Sequence, residues 1–338
     1  MTAALALLGY AVTAGCLAPS LLGPLTRRGA SVRPGLAAWL SAMASVSVSA
    51  ALAAALAVKA AEADWPALTR LVCQQVAGTA CSPQIYRNGL YSAGVAVLAV
   101  ASTLLVLAAL WRYGRRTRRA VASTRRHARA ALLAGRQLAG ADGESAGAGA
   151  VVLDDPRPVA YCVAGRPAAI VVTSGALAVL DEPQLAAVLA HERAHLAGRH
   201  HLLATLTRGL AAVFPGVPLF ASGAVEVARL AELAADDAAS RSVGRPALVA
   251  ALLAIATGNA VPGAAAPVTG PVTGPVTAQV TAPLPRGALA ASGHAVPARV
   301  ERLLDPPGPS AVALFGLALA LASAAFLLVP ALLLTAAV

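Results

Sequence analysis

Two histidines and a glutamate in the middle of the chain have the types and spacing of a metal site. Residues 191–195 read His-Glu-Arg-Ala-His, an H-E-x-x-H motif. Histidines four residues apart share one face of a helix, so both rings can present a nitrogen to one Zn²⁺. A glutamate beside the first histidine can then take a proton from a water that the metal activates. The motif therefore predicts one zinc ion per chain, with His191 and His195 as ligands and Glu192 as the catalytic base.

The segment around the motif has the pattern of a helix. Asp181 and Gln184 have capping-box spacing, and Pro183 falls in the first turn, where its missing N–H costs nothing. Three apolar residues at helical spacing share one stripe: Leu185, Val188 and Leu196. Glu192 and His195 fall on the same stripe, where polar groups are costly unless they are paired or bind a metal. This placement favours a metal site over a solvated helix that carries the motif by chance.

One candidate for a third zinc ligand is His201. The run from His191 to His201 also fits the longer metzincin motif, in which the helix breaks at Gly198 and the third histidine folds back to the metal. Metzincins need a methionine turn downstream of the motif. Both methionines, Met1 and Met43, lie upstream, so this reading lacks its second requirement.

The favoured candidate is Glu232, which lies in an apolar helical frame downstream of the motif. It would complete a His₂Glu site with an open position for water. Asp236, one turn later on the same helix face, could orient a ligand histidine from behind. On this interpretation His200 and His201 are predicted to lie at the protein surface or the membrane edge.

The composition predicts a membrane protein. The chain of 338 residues is 58% hydrophobic and only 12% charged, about half the charge of a soluble domain. Roughly 20 apolar residues are needed to cross a bilayer. Four segments qualify: 2–22, 36–58, 89–111 and 311–335. The apolar stretch 202–225 is interrupted by arginine, proline and glycine, which predicts a helix and a bend on the domain or the membrane surface.

The arginines predict the topology. The net charge is +11 with one lysine, and an arginine run follows the third predicted span: Arg112, Arg115, Arg116, Arg118, Arg119, Arg125, Arg126 and Arg129. The positive-inside rule places this run in the cytoplasm, so 112–310 is predicted inside and the loop 59–88 outside. Aromatic residues accompany the run only at its start, and no recognition motif is present. The run therefore predicts contact with anionic membrane lipid and no direct binding of nucleic acid.

Cysteine positions fit this topology. Cys73 and Cys81 lie in the predicted outer loop, in an oxidising compartment, so they are candidates for a disulfide, with two free thiols as the alternative. Cys162 lies in the predicted cytoplasmic domain without a base partner in its pattern, which indicates a structural residue.

These features divide the chain into four parts. Residues 1–111 are predicted to form three transmembrane helices, 112–150 a poorly ordered basic juxtamembrane linker, 151–305 a zinc domain and 311–335 the fourth span. Short extended runs at 151–153, 159–163 and 169–172 predict a small sheet before the zinc helix, and its edge could pair with an extended peptide. The low-complexity repeat at about 261–286 predicts a disordered loop. The predicted fold class is a mainly α membrane protein with a cytoplasmic α+β domain.

Over roughly residues 150–305 the chain resembles the BlaR/MecR-type integral membrane metallopeptidases, and is similar to the heat-shock and prenyl-processing membrane zinc peptidases. The resemblance rests on Ile-Val-Val-Thr-Ser-Gly at 170–175, on the helix 185–195 and on Glu-Leu-Ala-Ala-Asp at 232–236. It implies a gluzincin-type fold, with zinc on His191, His195 and Glu232 and with Glu192 as base. A weaker match makes His294 and Arg299 candidates for the oxyanion stabiliser. Because the chain ends soon after the last span, the extracellular penicillin-binding sensor domain is expected to be absent.

The predicted function is that of a multi-pass zinc metalloendopeptidase in the cell membrane, cleaving a cytoplasmic or membrane protein. The favoured role is regulated proteolysis or signalling, with a transcriptional repressor as the candidate substrate. The first alternative is a quality-control protease of the heat-shock or prenyl-processing type. The second is a non-catalytic membrane scaffold in which the H-E-x-x-H motif is accidental.

Overall fold

The computed structural model describes the backbone of residues 2–77, 83–138, 148–260, 289–290 and 296–336, and most of their side chains outside 61–93. The helices in these ranges are α1 (Thr2–Thr26), α2 (Val32–Ala77), α3 (Pro83–Ala134), α4 (Ser174–Val179), α5 (Glu182–Ala197), α6 (His200–Val213), α7 (Pro218–Val243), α8 (Arg245–Thr257), α9 (Val296–Leu304) and α10 (Pro309–Ala336). The strands are β1 (Arg136–Gln137), β2 (Ala148–Leu153), β3 (Ala160–Val163), β4 (Ala168–Thr173) and β5 (Leu289–Ala290).

Within the described residues, three helical segments are long and apolar enough to cross a membrane: Thr2–Thr26, Val32–Ala60 and Pro309–Ala336. They coincide with three of the four predicted spans. The predicted span 89–111 lies in α3 and stays a prediction, because the side chains of residues 89–93, 95 and 98 are not described. The backbone of the predicted outer loop 59–88 is helical up to Ala77 and again from Pro83.

Two other predictions concern residues that the structure does not describe. The proposed Cys73–Cys81 bond lies outside the described side chains, as does the repeat at 261–286. The bent segment 202–225 is described and has its expected form: α6 ends at Val213, a turn includes Pro215 and Gly216, and α7 begins at Pro218.

A proline in α10 is compensated by a neighbouring membrane helix. Pro330 has no N–H, so the carbonyl of Phe326 one turn earlier loses its helical donor. The hydroxyl of Ser45 on α2 donates to this carbonyl at 2.5 Å, and the hydroxyl of Tyr10 on α1 lies 3.3 Å from it. Backbone groups in lipid must be satisfied within the protein, so this contact joins α1, α2 and α10 at one point.

The segment predicted as a basic linker is helical over most of its length. Helix α3 continues without a break from Pro83 to Ala134, because alanine and arginine are strong helix formers. Near its end, Ala128 and Ala131 are buried against the sheet. The helix that carries the arginine run therefore forms part of the folded domain.

The predicted strands are confirmed, and they form a sheet with the strand order β1-β2-β4-β3-β5. Strands β2 and β4 are parallel, while β3 runs antiparallel to β4 and to the two-residue strand β5. Because successive side chains alternate between faces, Tyr161 and Val163 face α3, while Cys162 faces the core that contains α5 and α8. The sheet thus separates the arginine-bearing helix from the helix that carries the H-E-x-x-H motif.

The contact at Pro330 predicts a specific stabilising role for Ser45. We expect Ser45→Ala to destabilise the protein by roughly 0.6–1.7 kcal/mol, seen as a lower thermal unfolding midpoint in detergent. Ser47→Ala is the matched control, since the Ser47 hydroxyl donates to the carbonyl of Met43 in its own helix. Equal midpoints for the two variants would show that the interhelical hydrogen bond contributes nothing.

Candidate metal centre

Helix α5 begins and is buried as its sequence pattern predicts. The Asp181 carboxylate accepts from the backbone N–H of Gln184, and the Gln184 side chain accepts from the backbone N–H of Asp181. Glu192 and His195 are 0% and 1% exposed, on the face that packs into the core. The helix therefore holds three polar side chains of the motif, including His191, in an apolar interior.

The two histidines of α5 present the same ring atom to a common point. The Nε2 atoms of His191 and His195 lie 3.0 Å apart, and their ring centroids lie 4.7 Å apart at 71°. Both rings are almost fully buried. Two nitrogens that converge at this distance can either share a proton or ligate one cation.

Helix α7 brings a carboxylate to the same point. Glu232 Oε2 lies 3.5 Å from His191 Nε2, and Glu232 Oε1 lies 3.5 Å from His195 Nε2. Among the described residues, the candidate metal-binding group consists of these three side chains, whose ligand atoms all lie within 4.8 Å of one another. His201 is half-buried and does not belong to this group.

Asp236 and Arg299 form a layer behind these three residues. Asp236 Oδ1 lies 3.1 Å from Nδ1 of His191, the ring atom opposite the converging Nε2. Arg299 on α9 donates to both Asp236 oxygens at 2.6 and 2.7 Å, and its Nη1 lies 3.2 Å from Glu232. This geometry favours a role for Arg299 in holding the two carboxylates; its oxyanion role remains a prediction. His294, the other oxyanion candidate, lies outside the described residues.

Burial and neighbouring charges set the protonation of the carboxylates. Burial raises the pKa of Glu192, although the adjacent histidines oppose the shift. Burial also acts to raise the pKa of Glu232, but His191, His195 and Arg299 outweigh it and hold that pKa well below its usual range. The pKa of Asp236 is lowered despite burial, mainly by Arg299. Of these three carboxylates, Glu192 is thus the one whose pKa is raised, a shift in the direction that proton transfer near neutral pH requires.

Cys162 on β3 lies beside the site as a protonated thiol. Burial, together with the negative charge of Glu192, raises the pKa of this thiol far above its usual value. A thiol is a poor nucleophile and a poor metal ligand unless it is deprotonated. The structural interpretation of Cys162 from the sequence agrees with this environment.

The prediction that His200 lies at the surface is wrong. His200 is only 6% exposed, and its Nδ1 lies 2.9 Å from Nδ1 of His195. Burial, followed by the neighbouring His195, lowers the pKa of His200 to about 4, which favours the neutral ring. The disfavoured metzincin interpretation included a helix break at Gly198, where α5 does end, but it considered only His201 as the residue that returns to the site.

Helix α7 is also fixed to the turn between the first two membrane helices. Arg229 donates to the backbone carbonyl of Thr26 at 2.7 Å and pairs with Glu226. Arg302 on α9 forms two hydrogen bonds with Asp237 and donates to the carbonyl of Gly29. The helix that carries Glu232 is therefore held by both the membrane helices and α9.

A comparison with protein families decides the affiliation. The model of Peptidase family M48 matches residues 124–305, which is more than half of the chain. The chain belongs to peptidase family M48. The matched region begins in α3 and ends just after α9, so it contains the sheet, the H-E-x-x-H helix, Glu232 and Arg299. M48 peptidases are zinc-dependent, and this membership together with the His-His-Glu group indicates a metalloprotease.

A curated protein supports the same family. The Protease HtpX homolog of Acidiphilium cryptum (strain JF-5) is 45% identical over 62 residues, which are 18% of this chain and 22% of that relative. The match thus spans about a fifth of the relative's length. No solved structure matches the chain. These findings agree with the broader resemblance to membrane zinc peptidases, while the narrower one to the BlaR/MecR type is not confirmed by them.

The geometry predicts which residue completes the metal site. Glu232→Ala should reduce the zinc content of the purified protein from one per chain to near zero, because it removes one of three converging donors. His201→Ala is the matched control and should keep its zinc, since His201 lies outside the group. Metal analysis of both purified variants decides whether Glu232 or His201 is the third ligand. Loss of zinc in the His201 variant alone would restore the metzincin arrangement.

Proposed function

We propose that this M48 protein is an integral membrane zinc metalloendopeptidase whose catalytic domain faces the cytoplasm. The observation that carries the proposal is the convergence of His191, His195 and Glu232, with Glu192 beside them, in a domain joined to apolar helices of membrane-spanning length. Convergence from two separate helices argues against the scaffold alternative, in which the motif has no role.

The donor set fits a divalent cation. Two imidazole nitrogens and a carboxylate are a common ligand set for catalytic zinc. Both Glu192 oxygens are buried without a hydrogen-bond partner among the described residues, and Glu232 Oε2 has no well-directed hydrogen bond although Arg299 lies nearby. Three carboxylates surround the site, those of Glu192, Glu232 and Asp236, and the buried cation Arg299 pairs with the last two. If all three are ionised, they leave two negative charges, which a dication balances.

In the proposed mechanism His191, His195 and Glu232 hold the zinc, and Glu192 transfers the proton. When bound, zinc supplies a Lewis acid that polarises the peptide carbonyl and lowers the pKa of a water toward ~7. Glu192 accepts the proton of the attacking water and later gives it to the leaving amine. Its raised pKa suits both steps. Asp236 and Arg299 keep the ligand side chains in place.

Contacts between the catalytic domain and the membrane helices support the cytoplasmic orientation. Arg229 and Arg302 bind the carbonyls of Thr26 and Gly29, in the turn that carries Arg27 and Arg28. The domain therefore lies on the side of the membrane where α1 ends, α2 begins and this arginine-bearing turn connects them. The positive-inside rule assigns that side to the cytoplasm, and the arginine run of α3 is placed there as well, near anionic lipid.

Thiol labelling tests this topology. One variant keeps Cys81 alone, with alanine at the other native cysteine positions; a second lacks all four cysteines and carries Asn259→Cys at an exposed position of the catalytic domain. In intact cells a membrane-impermeant maleimide should label the first variant, and should label the second only after permeabilisation. Labelling of the N259C variant alone in intact cells would invert the proposed orientation.

The favoured biological role is regulated cleavage of one or a few cytoplasmic proteins, with a transcriptional repressor as the candidate substrate. The catalytic domain is attached to α3 at one end and to α10 at the other, which restricts cleavage to substrates near the membrane. The quality-control alternative gains support from the similarity to a Protease HtpX homolog. Proteomics of cells with wild type or an inactive variant separates the two: selective stabilisation of a regulator supports signalling, and broad accumulation of membrane-protein fragments supports quality control.

Replacing the proposed base tests the catalytic assignment. Glu192→Gln should retain zinc, since Glu192 is not in the ligand group, but should lose about 10²- to 10⁴-fold in peptidase rate, because an amide cannot accept the water proton. Glu182→Gln, an exposed position at the start of the same helix, is the matched control. Zinc content and cleavage of an unfolded protein substrate are measured on each purified variant. Full activity of E192Q would remove Glu192 from the mechanism.

A further inference from the structure

His200 meets His195 on the side opposite the proposed metal. The two Nδ1 atoms lie 2.9 Å apart, and the rings form an edge-to-face pair with centroids 4.8 Å apart at 88°. Nε2 of His195 instead lies near His191 Nε2 and Glu232 Oε1. One nitrogen of His195 therefore faces the metal-binding group, and the other faces His200.

The backbone between α5 and α6 is shaped to bring His200 to this position. A Cβ atom at Gly198 would lie 2.3 Å from Nε2 of His200, so the ring occupies space that a side chain at 198 would fill. Arg199 has a left-handed backbone conformation, with φ 50°. Such a conformation is costly for a residue other than glycine and persists where its surroundings enforce it. The tight reversal places His200 one residue after Arg199, against His195.

The proton positions follow from these contacts. A histidine that ligates a metal through Nε2 carries its proton on Nδ1 and donates it to a neighbouring acceptor. Among the described residues, the hydrogen-bond partner of His195 Nδ1 is the His200 ring. Nδ1 of His200 must then be the acceptor, and its own proton must lie on Nε2.

We propose that His200 is a positioning residue of the metal centre, whose neutral ring accepts the Nδ1 proton of His195 and thereby fixes its tautomer and orientation. This inference rests on the proposed zinc-dependent function. The two ligand histidines are then held by different groups, since Asp236 faces His191. Three carboxylates already surround the site, and a neutral acceptor orients His195 without adding a fourth negative charge.

Zinc affinity of the purified full-length protein tests the acceptor role. His200→Phe fills a similar volume without an acceptor and should weaken zinc binding roughly 10- to 100-fold. His200→Gln offers a side-chain carbonyl and should recover most of the affinity. His201→Gln, at the adjacent half-buried position, is the control and should match wild type. Competition with a metal chelator measures the zinc affinity of all four proteins. Thermal unfolding of the metal-free proteins shows whether each variant is folded.

A substitution at Gly198 tests the role of His200 independently. Its backbone is right-handed helical, with φ −74°, so alanine suits the conformation and conflicts mainly with the His200 ring. Gly198→Ala should weaken zinc binding in wild type. In a His200→Ala background the same change should have almost no further effect, because the ring is gone. Additive losses in this double-mutant cycle would overturn the coupling.

The outcomes separate this inference from the proposed function. If the wild-type protein binds no zinc, the proposed function fails. If wild type binds zinc and H200F binds it equally well, only the role of His200 fails. Equal losses of affinity in H200F and H200Q, with an equally lowered unfolding midpoint of the metal-free proteins, would reduce His200 to a packing residue. Rescue by H200Q with unchanged midpoints supports the acceptor role.

Discussion

The central physical constraint of this structure is the compensation of negative charge in an apolar interior. Glu192 and Asp236 are fully buried, and the Glu232 side chain is 19% exposed. Isolated carboxylates in such surroundings are strongly disfavoured. Arg299 offsets part of the charge through its contacts with Asp236 and Glu232, and the proposed divalent cation among the His-His-Glu donors would offset the rest. The need to compensate these charges thus accounts for the ion pairs that join α9 to α7.

Helix α7 lies between the membrane helices and the candidate metal site. Its residues Leu219, Phe220 and Leu230 pack among side chains of α1 and α2, while Glu232 and Asp236 on the same helix point to the site. Arg229 and Arg302 tie α7 and α9 to the turn between α1 and α2. Because α7 is shared in this way, the position of Glu232, the proposed third ligand, depends on the membrane helices as well as on the core of the zinc domain.

Much of the local structure follows from short-range patterns. The capping box at Asp181, the three short strands and the bend near Pro215 were predictable because each depends on residues a few positions apart. The burial of Glu192 and His195 followed from helical periodicity. The linker prediction for 112–150 was wrong over 112–134. The arginine-rich composition indicated a solvated segment, but the alanines at 128 and 131 pack on the sheet. This contact depends on strand residues twenty or more positions away in the chain.

The sequence by itself determined which side chains could carry the proposed chemistry, because an H-E-x-x-H motif on a helix brings two histidines and a glutamate together through helical spacing alone. It also indicated Glu232, from an apolar frame and an absent methionine turn. Only the tertiary structure decided that Glu232 lies between the two histidines and that Arg299 stands behind it, since these residues meet across long stretches of chain. The structure likewise turned His200 inward. The left-handed Arg199 and the absent Cβ of Gly198 direct that ring to His195. The glycine is visible in the sequence, but the inward position of the His200 ring depends on how α5 and α6 pack.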